Sequence, residues 1–393
     1  MSDDDNGPRH WTAGDYRRCL ESALGVPFVG GNHVDVLVNG DRIFPAMIEA
    51  IESASQTIEF LTFIYWQGEV ASRMGRALAD RARAGVSVRV LLDAFGAQWM
   101  EQSVIDQLTE AGVEIAWFRP KARWRVWQID NRTHRKILVV DDRVAFTGGV
   151  GIAAEWEGDA RNPDEWRETH FRIEGPAIDG LRAAFVSNWV EAGRPGLDLF
   201  RTVAPHATPG DVALQVIRTS AAVAYSDVAT LFRLALTVAD RRIRIATGYF
   251  VPDEALMGLM EAAVARGVIV DVLMPGAHND SMVATMAAEA TFERLTAAGI
   301  NIYRFEPTMM HTKAVLVDDQ VAVVGSANFN HRSMGKDDEI VVVAVDGTLA
   351  GQLIADYDHD LTRTHKIEHA EWVKRGPWQR LREWAGSRLA SQA

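Results

Sequence analysis

The sequence predicts an α/β protein built from two copies of one domain, related by a pseudo-twofold axis. Its 393 residues exceed what one ordinary core accommodates and suit two domains of roughly 180 residues each. Four sequence blocks recur in the same order in both halves, which chance does not readily supply. Within each half, β-rich runs alternate with helical patterns, and such alternation is typical of helices that cover a mixed sheet.

The repeated blocks predict the same strands and helices in both halves. In the first half they read TIEFLTFIYW, ARAGVSVRVLLDAFG, LTEAGVEIAWFRP and THRKILVVDDRVAFTGG. In the second half they read RIRIATGYFVPD, VARGVIVDVLMPG, LTAAGINIYRFEP and MHTKAVLVDDQVAVVGSAN. The second block of each half holds a short β-branched run, residues 86–92 or 268–273, which indicates a buried strand. Each run follows a helical pattern that ends near Gly85 or Gly267.

Composition shifts along the chain predict four segments. Residues 1–30 form an N-terminal extension, 31–203 the first domain and 204–365 the second domain, and residues 366–393 form a basic amphipathic tail. We place the boundary between the domains in the loop 193–211, where prolines and glycines cluster ahead of the next strand-like run.

Composition and charge exclude several classes of protein. Hydrophobic residues make up 48% and charged residues 24%, as in globular proteins and unlike disordered or collagen-like ones. Cys19 is the only cysteine, so an intrachain disulfide and a cysteine-clustered zinc site are excluded. No charge-free apolar run reaches the roughly 18 residues of a spanning helix, and the acidic start differs from a secretory signal. A net charge of −12 argues against a general nucleic-acid binder, although one local basic groove is compatible with it.

The first copy carries an insertion of about ten residues between Pro120 and His134. Basic and aromatic side chains interleave there, and this composition suits contact with anionic lipid headgroups. The residues predicted to make lipid contact are Arg123, Trp124, Arg125 and Trp127. Lys121 and Arg132 extend the basic character of the segment. The alternative is a lid loop whose tryptophans pack on the domain and whose arginines are solvated.

Two matching sets of polar residues stand at equivalent points of the repeat, with the spacing H-x-K-x4-D and a glycine seven places after the aspartate. The first set is His134, Lys136, Asp141, Gly148 and Gly149. The second set is His311, Lys313, Asp318, Gly325, Ser326 and Asn328. A single H-x-K on a strand is usually an exposed polar face. Two copies in register within a repeat instead indicate a duplicated functional site.

This spacing brings imidazole and ammonium groups together. Residues i and i+2 of a strand share a face, so His134 and Lys136 project together, as do His311 and Lys313. If the axis runs between the two strands, both pairs converge on one cavity, and the ligand that suits them is a phosphodiester. A neutral imidazole attacks phosphorus, a protonated imidazole donates to the departing oxygen, and the fixed cations offset charge on the other oxygens.

Further residues are predicted to support this site. Glu168 and Glu339 open the strand after each motif, and we nominate them as orienting carboxylates, each for the histidine of the opposite half. Solvated strand-end charges are the alternative. Donors to the phosphate oxygens are expected from Ser326, Asn328 and the backbone at Gly148, Gly149 and Gly325.

The two aspartates of the motifs have two possible roles. Asp141 and Asp318 belong to the catalytic motif, yet each begins an Asp-Asp turn between two strands, so a structural turn role is the favoured alternative.

No His, Asp and Glu cluster has the local spacing of a metal site. We therefore predict chemistry without a metal or another cofactor.

With these motifs the sequence resembles the phospholipase D superfamily and, within it, the bacterial cardiolipin synthases, in a short form without transmembrane segments. The signature H-x-K-x4-D-x6-G-[GS]-x-N is complete in the second copy, whereas the first copy has Gly151 where the family has asparagine. The flanking segments NRTHRKILVVDDRVAFTGG, WRETHFRIEGPA and GYFVPD are similar to the synthase branch, and the resemblance covers roughly residues 35–360. It implies two phospholipase D-like α-β-α sandwich domains.

The resemblance also implies an activity. In the family a phosphohistidine forms, usually on the histidine of the first motif, which makes His134 the nucleophile and His311 the acid, although the sequence alone leaves this order open. The implied activity is a phosphatidyltransferase of phospholipid biosynthesis, with phosphatidylglycerol or another phospholipid as donor and phosphatidylglycerol as acceptor. The alternatives are a phospholipase D hydrolase, a nucleic-acid phosphodiesterase on the same core, and a non-catalytic lipid-binding module, which only Gly151 favours. The expected partners are a phospholipid substrate and a membrane surface, without nucleic acid. The sequence indicates no oligomeric state.

The composition of the C-terminal tail predicts attachment to a membrane surface. Apolar and basic side chains alternate along one helical stripe, which favours an interfacial anchor at the cytoplasmic face of the cell membrane. These residues are Trp378, Arg380, Leu381, Arg382, Trp384, Arg388 and Leu389. A helix docked on the second domain is the alternative.

Overall fold

One sheet of fifteen strands runs through the computed structural model, which describes residues 10–120, 131–194, 206–220 and 226–389. The strands of the first half are β1 (Val29–Val38), β2 (Thr57–Thr62), β3 (Ser87–Asp93), β4 (Glu114–Phe118), β5 (Ile137–Val140), β6 (Val144–Gly148) and β7 (Thr169–Glu174). Those of the second half are β8 (Val212–Arg218), β9 (Arg242–Ala246), β10 (Ile269–Pro275), β11 (Asn301–Phe305), β12 (Ala314–Val317), β13 (Val321–Gly325), β14 (Ile340–Val345) and β15 (Thr364–Lys366).

The strand order shows the duplication directly. It reads β15-β11-β10-β9-β12-β13-β14-β8-β1-β7-β6-β5-β2-β3-β4. Outward from the β8–β1 junction, both halves run through equivalent strands, and β15 is an addition at one edge. In each half three strands are parallel and the rest are antiparallel. The prediction of two α/β copies related by a pseudo-twofold axis is therefore confirmed.

Helices cover the sheet on both faces. The first half contributes α1 (Ala13–Leu24), α2 (Gly40–Glu52), α3 (Glu69–Arg83), α4 (Gln102–Glu110) and α5 (Ile178–Glu191). The second half contributes α6 (Asp227–Val238), α7 (Glu254–Ala265), α8 (Met282–Ala297), α9 (His331–Gly335), α10 (Gly347–Leu361), α11 (His369–Trp372) and α12 (Pro377–Leu389). Within the described ranges, none of these helices is both long and apolar enough to cross a bilayer.

Three large apolar clusters and a small fourth one form the core of the described residues. One lies under the outer helices of each half, and the third lies between the halves, where α5 and α10 pack on the facing strands. The central strands β2, β5, β6, β12 and β13 are buried along their whole length. Such burial on both faces explains why these segments read as continuous apolar runs.

The first and the last helices of the described residues both pack on the second half. Helix α1 begins at Thr12 with a capping box and buries Tyr16, Leu20 and Leu24 in the core of the second copy. Helices α11 and α12 pack along α8. The N-terminal extension therefore adds helix α1 to the core of the second copy, and the C-terminal tail docks on the second copy, as the alternative for this tail stated.

Candidate active site

The two H-x-K segments each lead into a central strand and are anchored by the opposite half. His134 and Lys136 precede β5, and His311 and Lys313 precede β12. The backbone N–H of His134 donates to the carbonyl of Asp338 at 2.9 Å, and that of His311 donates to Arg167 at 2.8 Å. These cross-connections bring both histidines to the wall of one cavity of about 680 Å³.

Each histidine is held by a carboxylate from the other half. Nδ1 of His134 lies 3.0 Å from Oε1 of Glu339, and Nδ1 of His311 lies 2.6 Å from Oε2 of Glu168. Both carboxylates are buried. Because Nδ1 donates to the carboxylate, Nε2 of each ring remains for phosphorus or for a proton.

The two lysines add positive charge beside the histidines. Lys136 Nζ donates to the carbonyl of His134 at 2.7 Å, and Lys313 Nζ donates to the carbonyl of His311. Burial lowers the pKa of Lys136 to about 7 and that of Lys313 to about 8, against the opposing attraction of Glu168 and Glu339. Both ammonium groups are therefore held in a desolvated site, where an anionic ligand supplies the missing counter-charge.

Burial and the nearby ammonium groups favour neutral imidazoles. Burial lowers the pKa of His134, although Glu339 opposes the shift. The pKa of His311 lies well below its usual value because of burial and the charge of Lys313. A neutral imidazole is the form that attacks phosphorus.

The carboxylate of Glu339 is held more firmly than its counterpart. Ser326 Oγ donates to Glu339 Oε2 at 2.5 Å, and Ser333 Oγ donates to Oε1 at 2.6 Å. Positions 149 and 156, which stand 177 residues earlier, hold Gly149 and Trp156, so the first copy offers no such hydroxyls. The motif spacing did not single out Ser333, because the first copy has no matching hydroxyl that marks this position.

These contacts separate the two carboxylates electrostatically. Burial alone would raise the pKa of Glu339, but His134, Lys136 and Ser326 lower it to about 2. Burial raises the pKa of Glu168, whose Oε1 accepts from the backbone N–H of Thr169 at 2.9 Å. The two half-sites thus contain the same types of residue, but the pKa values of their carboxylates are shifted in opposite directions.

The family asparagine missing from the first copy has a steric explanation. A Cβ atom on Gly151 would lie 2.9 Å from both Ile64 Cβ and the Trp156 ring. The indole of Trp156 fills this space and lies edge-on to His311, with 5.3 Å between ring centroids. In the second copy Asn328 lines the cavity.

Of the glycines predicted to bind phosphate, Gly148 and Gly325 end strands β6 and β13 and Gly149 follows β6, and none of them lines the cavity. Gly148 and Gly325 have φ values of 152° and 149°, and a Cβ on Gly325 would lie 2.3 Å from the carbonyl oxygen of Ile340. A Cβ on Gly149 would lie 2.3 Å from Glu168 Oε2. Their small size therefore lets the neighbouring strand and carboxylate approach closely. Ser326 likewise contacts Glu339 and does not line the cavity.

The two aspartates of the motif do not reach the cavity. Asp141 and Asp318 follow β5 and β12, about 15 Å of strand away from the histidines that precede those strands. Asp141 accepts backbone N–H groups from residues 55–57, and Asp318 accepts them from residues 240–242. Their φ values are 53° and 51°, a turn conformation that aspartate tolerates. This geometry supports the turn role and not a catalytic one.

The insertion before His134 is described only in part. Arg123, Trp124, Arg125 and Trp127 lie outside the described residues, as does Lys121. Arg132 is buried, and its guanidinium contacts Asp93 at 2.7 Å. The charge of Arg132 is therefore neutralised in a buried ion pair, and the residue lines the cavity.

The two halves line the cavity differently. The first copy supplies an aromatic wall, formed by Phe63, Trp66, Phe95, Trp99, Trp156 and Trp166. The second copy supplies most of the polar groups, which include Tyr249, Asp280, Ser281, Asn328, Asn330, Arg332 and Ser333. No group of three or more His, Cys, Asp or Glu side chains in the described ranges is arranged to hold a metal ion.

Comparison with known proteins agrees with this architecture. A family model described as cardiolipin synthase, PLD-like domain, matches residues 47–174 and 233–361, once in each copy. Cardiolipin synthase A of Pseudomonas fluorescens Pf-5 is 31% identical over 88% of this chain and 72% of its own length. Cardiolipin synthase 1 of Bacillus cereus is 31% identical over 91% of this chain and 72% of its own length.

A solved structure shares the fold. Phosphatidylserine synthase of Haemophilus influenzae superposes with a TM-score of 0.75 at 14% identity, covering 96% of this chain and 99% of that one. By sequence, by fold and by its duplicated motif, the chain belongs to the phospholipase D-like cardiolipin synthase family.

Proposed function

We propose that this protein is a phosphatidyltransferase that forms cardiolipin from two molecules of phosphatidylglycerol through a phosphohistidine on His134. One observation carries the proposal: both motif histidines, each held by a carboxylate from the opposite half, line one cavity together with Lys136, and the charge of Lys313 acts on Lys136. That arrangement holds a single phosphorus between an attacking and a protonating imidazole. Its relatives carry the name cardiolipin synthase.

The first step breaks the headgroup ester of the donor. Nε2 of His134 attacks phosphorus, and the bond from phosphorus to the glycerol oxygen breaks. Burial favours neutral His311 in the free site, so this histidine takes up a proton when the anionic phosphate binds and then donates that Nε2 proton to the glycerol oxygen. Lys136 and Lys313 stabilise the charge on the remaining oxygens, and positioned proton transfer contributes roughly 10²–10⁴-fold. Glu339 stabilises the positive charge that the phosphorylated ring of His134 acquires.

The second step transfers the phosphatidyl group. A hydroxyl of a second phosphatidylglycerol attacks phosphorus, and its proton passes to Nε2 of His311, which is neutral after the first step. The bond from phosphorus to Nε2 of His134 breaks, and its electron pair returns to the imidazole. The aromatic wall favours a lipid alcohol over water as the acceptor, because it offers apolar surface and few hydrogen bonds to water.

Lipid substrates imply work at a membrane surface, and exposed apolar side chains support a peripheral position there. The cytoplasmic face stays a prediction from the sequence. On α12, Trp378 is 78% exposed, Leu381 52% and Trp384 58%. At the cavity mouth, Trp99 is 58% exposed and Met282 70%. The side chain of Leu389 lies outside the described residues.

The two interpretations of the tail are compatible in this geometry. One side of α12 packs on α8, where Gln379 Nε2 donates to Glu289 Oε2 at 2.6 Å and Gly386 lies against Met286. The other side carries the exposed tryptophans. Because α8 begins at the cavity mouth with Met282, a bilayer in contact with this side also lies close to the entrance for lipid.

A lipid assay with purified protein tests the function. Phosphatidylglycerol vesicles are incubated with the protein and a chelator, and the lipid products are separated. Cardiolipin plus glycerol is expected. Phosphatidic acid alone would indicate a hydrolase, and cleavage of single-stranded DNA without lipid turnover would indicate a nucleic-acid phosphodiesterase.

Two variants connect that activity to the site. His134→Ala and His311→Ala are each expected to abolish turnover, since each imidazole supplies about a hundredfold or more. His33→Ala is the matched control, because this histidine is 49% exposed and pairs with Asp35. If either cavity variant kept more than roughly a tenth of the activity, the paired-histidine mechanism would be contradicted.

A further inference from the structure

The cavity contains a polar pair, Tyr249 and Asp280, that the repeat does not duplicate. Tyr249 Oη lies 2.8 Å from each carboxylate oxygen of Asp280, and both residues line the cavity. The equivalent of Tyr249 in the first copy is Ile64. This alignment is supported by Thr62 and Thr247, which each donate their hydroxyl to the carbonyl of the residue two places later, at 3.0 Å.

The repeat distinguishes the groups that bind the phosphate, which occur in both halves, from those that bind the alcohol. The phosphorus lies between the two histidines in both steps, so its binding groups occur in both halves. The alcohol that leaves and the alcohol that enters both bind beside the one histidine that acts as acid and then as base. A polar pair that occurs only once therefore suits the alcohol.

The pair lies on the His311 side of the cavity. The ring of Tyr249 stands perpendicular to that of His311, with 6.4 Å between centroids. The charge of Asp280 also acts on Lys313, which follows His311 by two residues. In the proposed function His311 is the histidine that exchanges a proton with the alcohol.

The chemistry of the pair selects a ligand rich in hydroxyl groups. A carboxylate repels the phosphate of an anionic lipid, so Asp280 has to serve a donor group. Burial and the neighbouring Asp280 hold the pKa of Tyr249 well above 10, so the phenol remains a donor to that carboxylate. An ionised carboxylate has roughly four acceptor positions, which leaves Asp280 able to accept further O–H groups.

We infer that Tyr249 and Asp280 form the alcohol subsite, which binds a polyol headgroup such as glycerol. This inference rests on the proposed function and adds the substrate class of one side of the cavity. Asp280 accepts the hydroxyl that does not react, and this contact directs the reacting hydroxyl toward phosphorus. That hydroxyl forms the new P–O bond as the bond to His134 Nε2 breaks, and its proton passes to Nε2 of His311.

The test measures how the phosphatidyl enzyme divides between alcohol and water. The donor is a phosphatidyl ester of p-nitrophenol, a leaving group that needs little protonation, and glycerol is the acceptor. The ratio of phosphatidylglycerol to phosphatidic acid is read by mass spectrometry. We expect Asp280→Asn and Asp280→Ala to lower this ratio tenfold or more, and Tyr249→Phe to lower it less.

Ethanol supplies the control acceptor, because it has no second hydroxyl for Asp280 to hold. The ratio of phosphatidylethanol to phosphatidic acid should stay within about twofold in the Asp280 variants. Asp80→Asn, an exposed carboxylate on α3, is the matched control variant. An unchanged glycerol ratio, or an equal fall with ethanol, overturns the subsite while the proposed function stands. If the wild-type protein forms no transfer product with either alcohol, the proposed function fails and the subsite fails with it.

Discussion

Nδ1 of His134 lies 3.0 Å from Oε1 of Glu339, although 205 residues separate them in the chain. The reciprocal pair, His311 with Glu168, spans 143 residues. Each half of the protein therefore completes the site of the other, and neither half alone holds an oriented histidine. This relationship explains why the halves form one molecule with a shared core.

The crossed carboxylates should both be required for turnover. Glu339→Gln and Glu168→Gln each leave the ring in place but remove the charge that orients it and stabilises its cationic form. We expect a loss in kcat of at least about a hundredfold in each case, and a larger loss for Glu339→Gln. Glu254→Gln, at an exposed position on α7, is the control. If either glutamate variant formed cardiolipin at the wild-type rate, that carboxylate would have no role in the mechanism.

The lysines predict an alkaline decline in kcat/KM. With pKa values lowered to about 7 for Lys136 and about 8 for Lys313, the positive charges are present below those values and are lost as the pH rises through them. Rates at low substrate from pH 6 to 9 should therefore fall on the alkaline side. The alkaline decline in kcat should lie at higher pH than the decline in kcat/KM, because bound phosphate stabilises the ammonium groups.

A lysine variant should change the alkaline decline in kcat/KM. Lys136→Met is expected to lower kcat/KM about a hundredfold and to alter the alkaline decline. Lys366→Met, with a side chain that is 41% exposed, should change neither quantity. A pH profile in which Lys136→Met matches the wild-type protein would show that another group titrates.

Restoring the family asparagine at Gly151 should destabilise the protein. A Cβ at this position would meet Ile64 and Trp156 at 2.9 Å, so Gly151→Asn should cost about 1–3 kcal/mol of unfolding free energy. Adding Trp156→Ser, which copies Ser333 at the equivalent position, should recover part of that loss. Urea unfolding of the single and double variants gives the comparison. If the double variant were the less stable, the packing explanation would fail.

Asp141 should contribute to stability. Although burial alone would raise its pKa, backbone N–H groups of residues 55–57 lower it, and Asp141→Asn should cost about 1–3 kcal/mol. A lowered pKa stabilises the folded state above the unfolded value of about 3.9, and this contribution is lost as the pH falls through the folded pKa. Denaturation at pH 7 and at pH 3 measures it. A large fall in kcat of the folded variant would instead indicate a catalytic role.

The exposed side of α12 should bind membranes. Replacing Trp378, Leu381 and Trp384 by alanine removes most of the apolar surface at this side, which should weaken binding to phosphatidylglycerol vesicles at least tenfold. Ile269→Ala, which changes a strand residue that is 48% exposed, is the control. Vesicle sedimentation provides the measurement. Unchanged sedimentation of the triple variant would exclude α12 as the attachment site.

The sequence by itself determined the repeated α/β halves and the pairing of histidine with lysine. Both follow from local rules, since alternating runs encode strands and helices, and the i, i+2 spacing puts His134 and Lys136 together. The repeat also singled out Glu168 and Glu339 as candidates, because they open equivalent strands.

Only the tertiary structure decided which groups meet. It places Asp141 at the far end of its strand, pairs Arg132 with Asp93 and puts Trp156 in the space beside Gly151. It also places the unduplicated pair, Tyr249 and Asp280, beside His311. The physical reason is that spacing along a chain sets the direction of a side chain, whereas its neighbours come from segments far away in sequence that packing brings close.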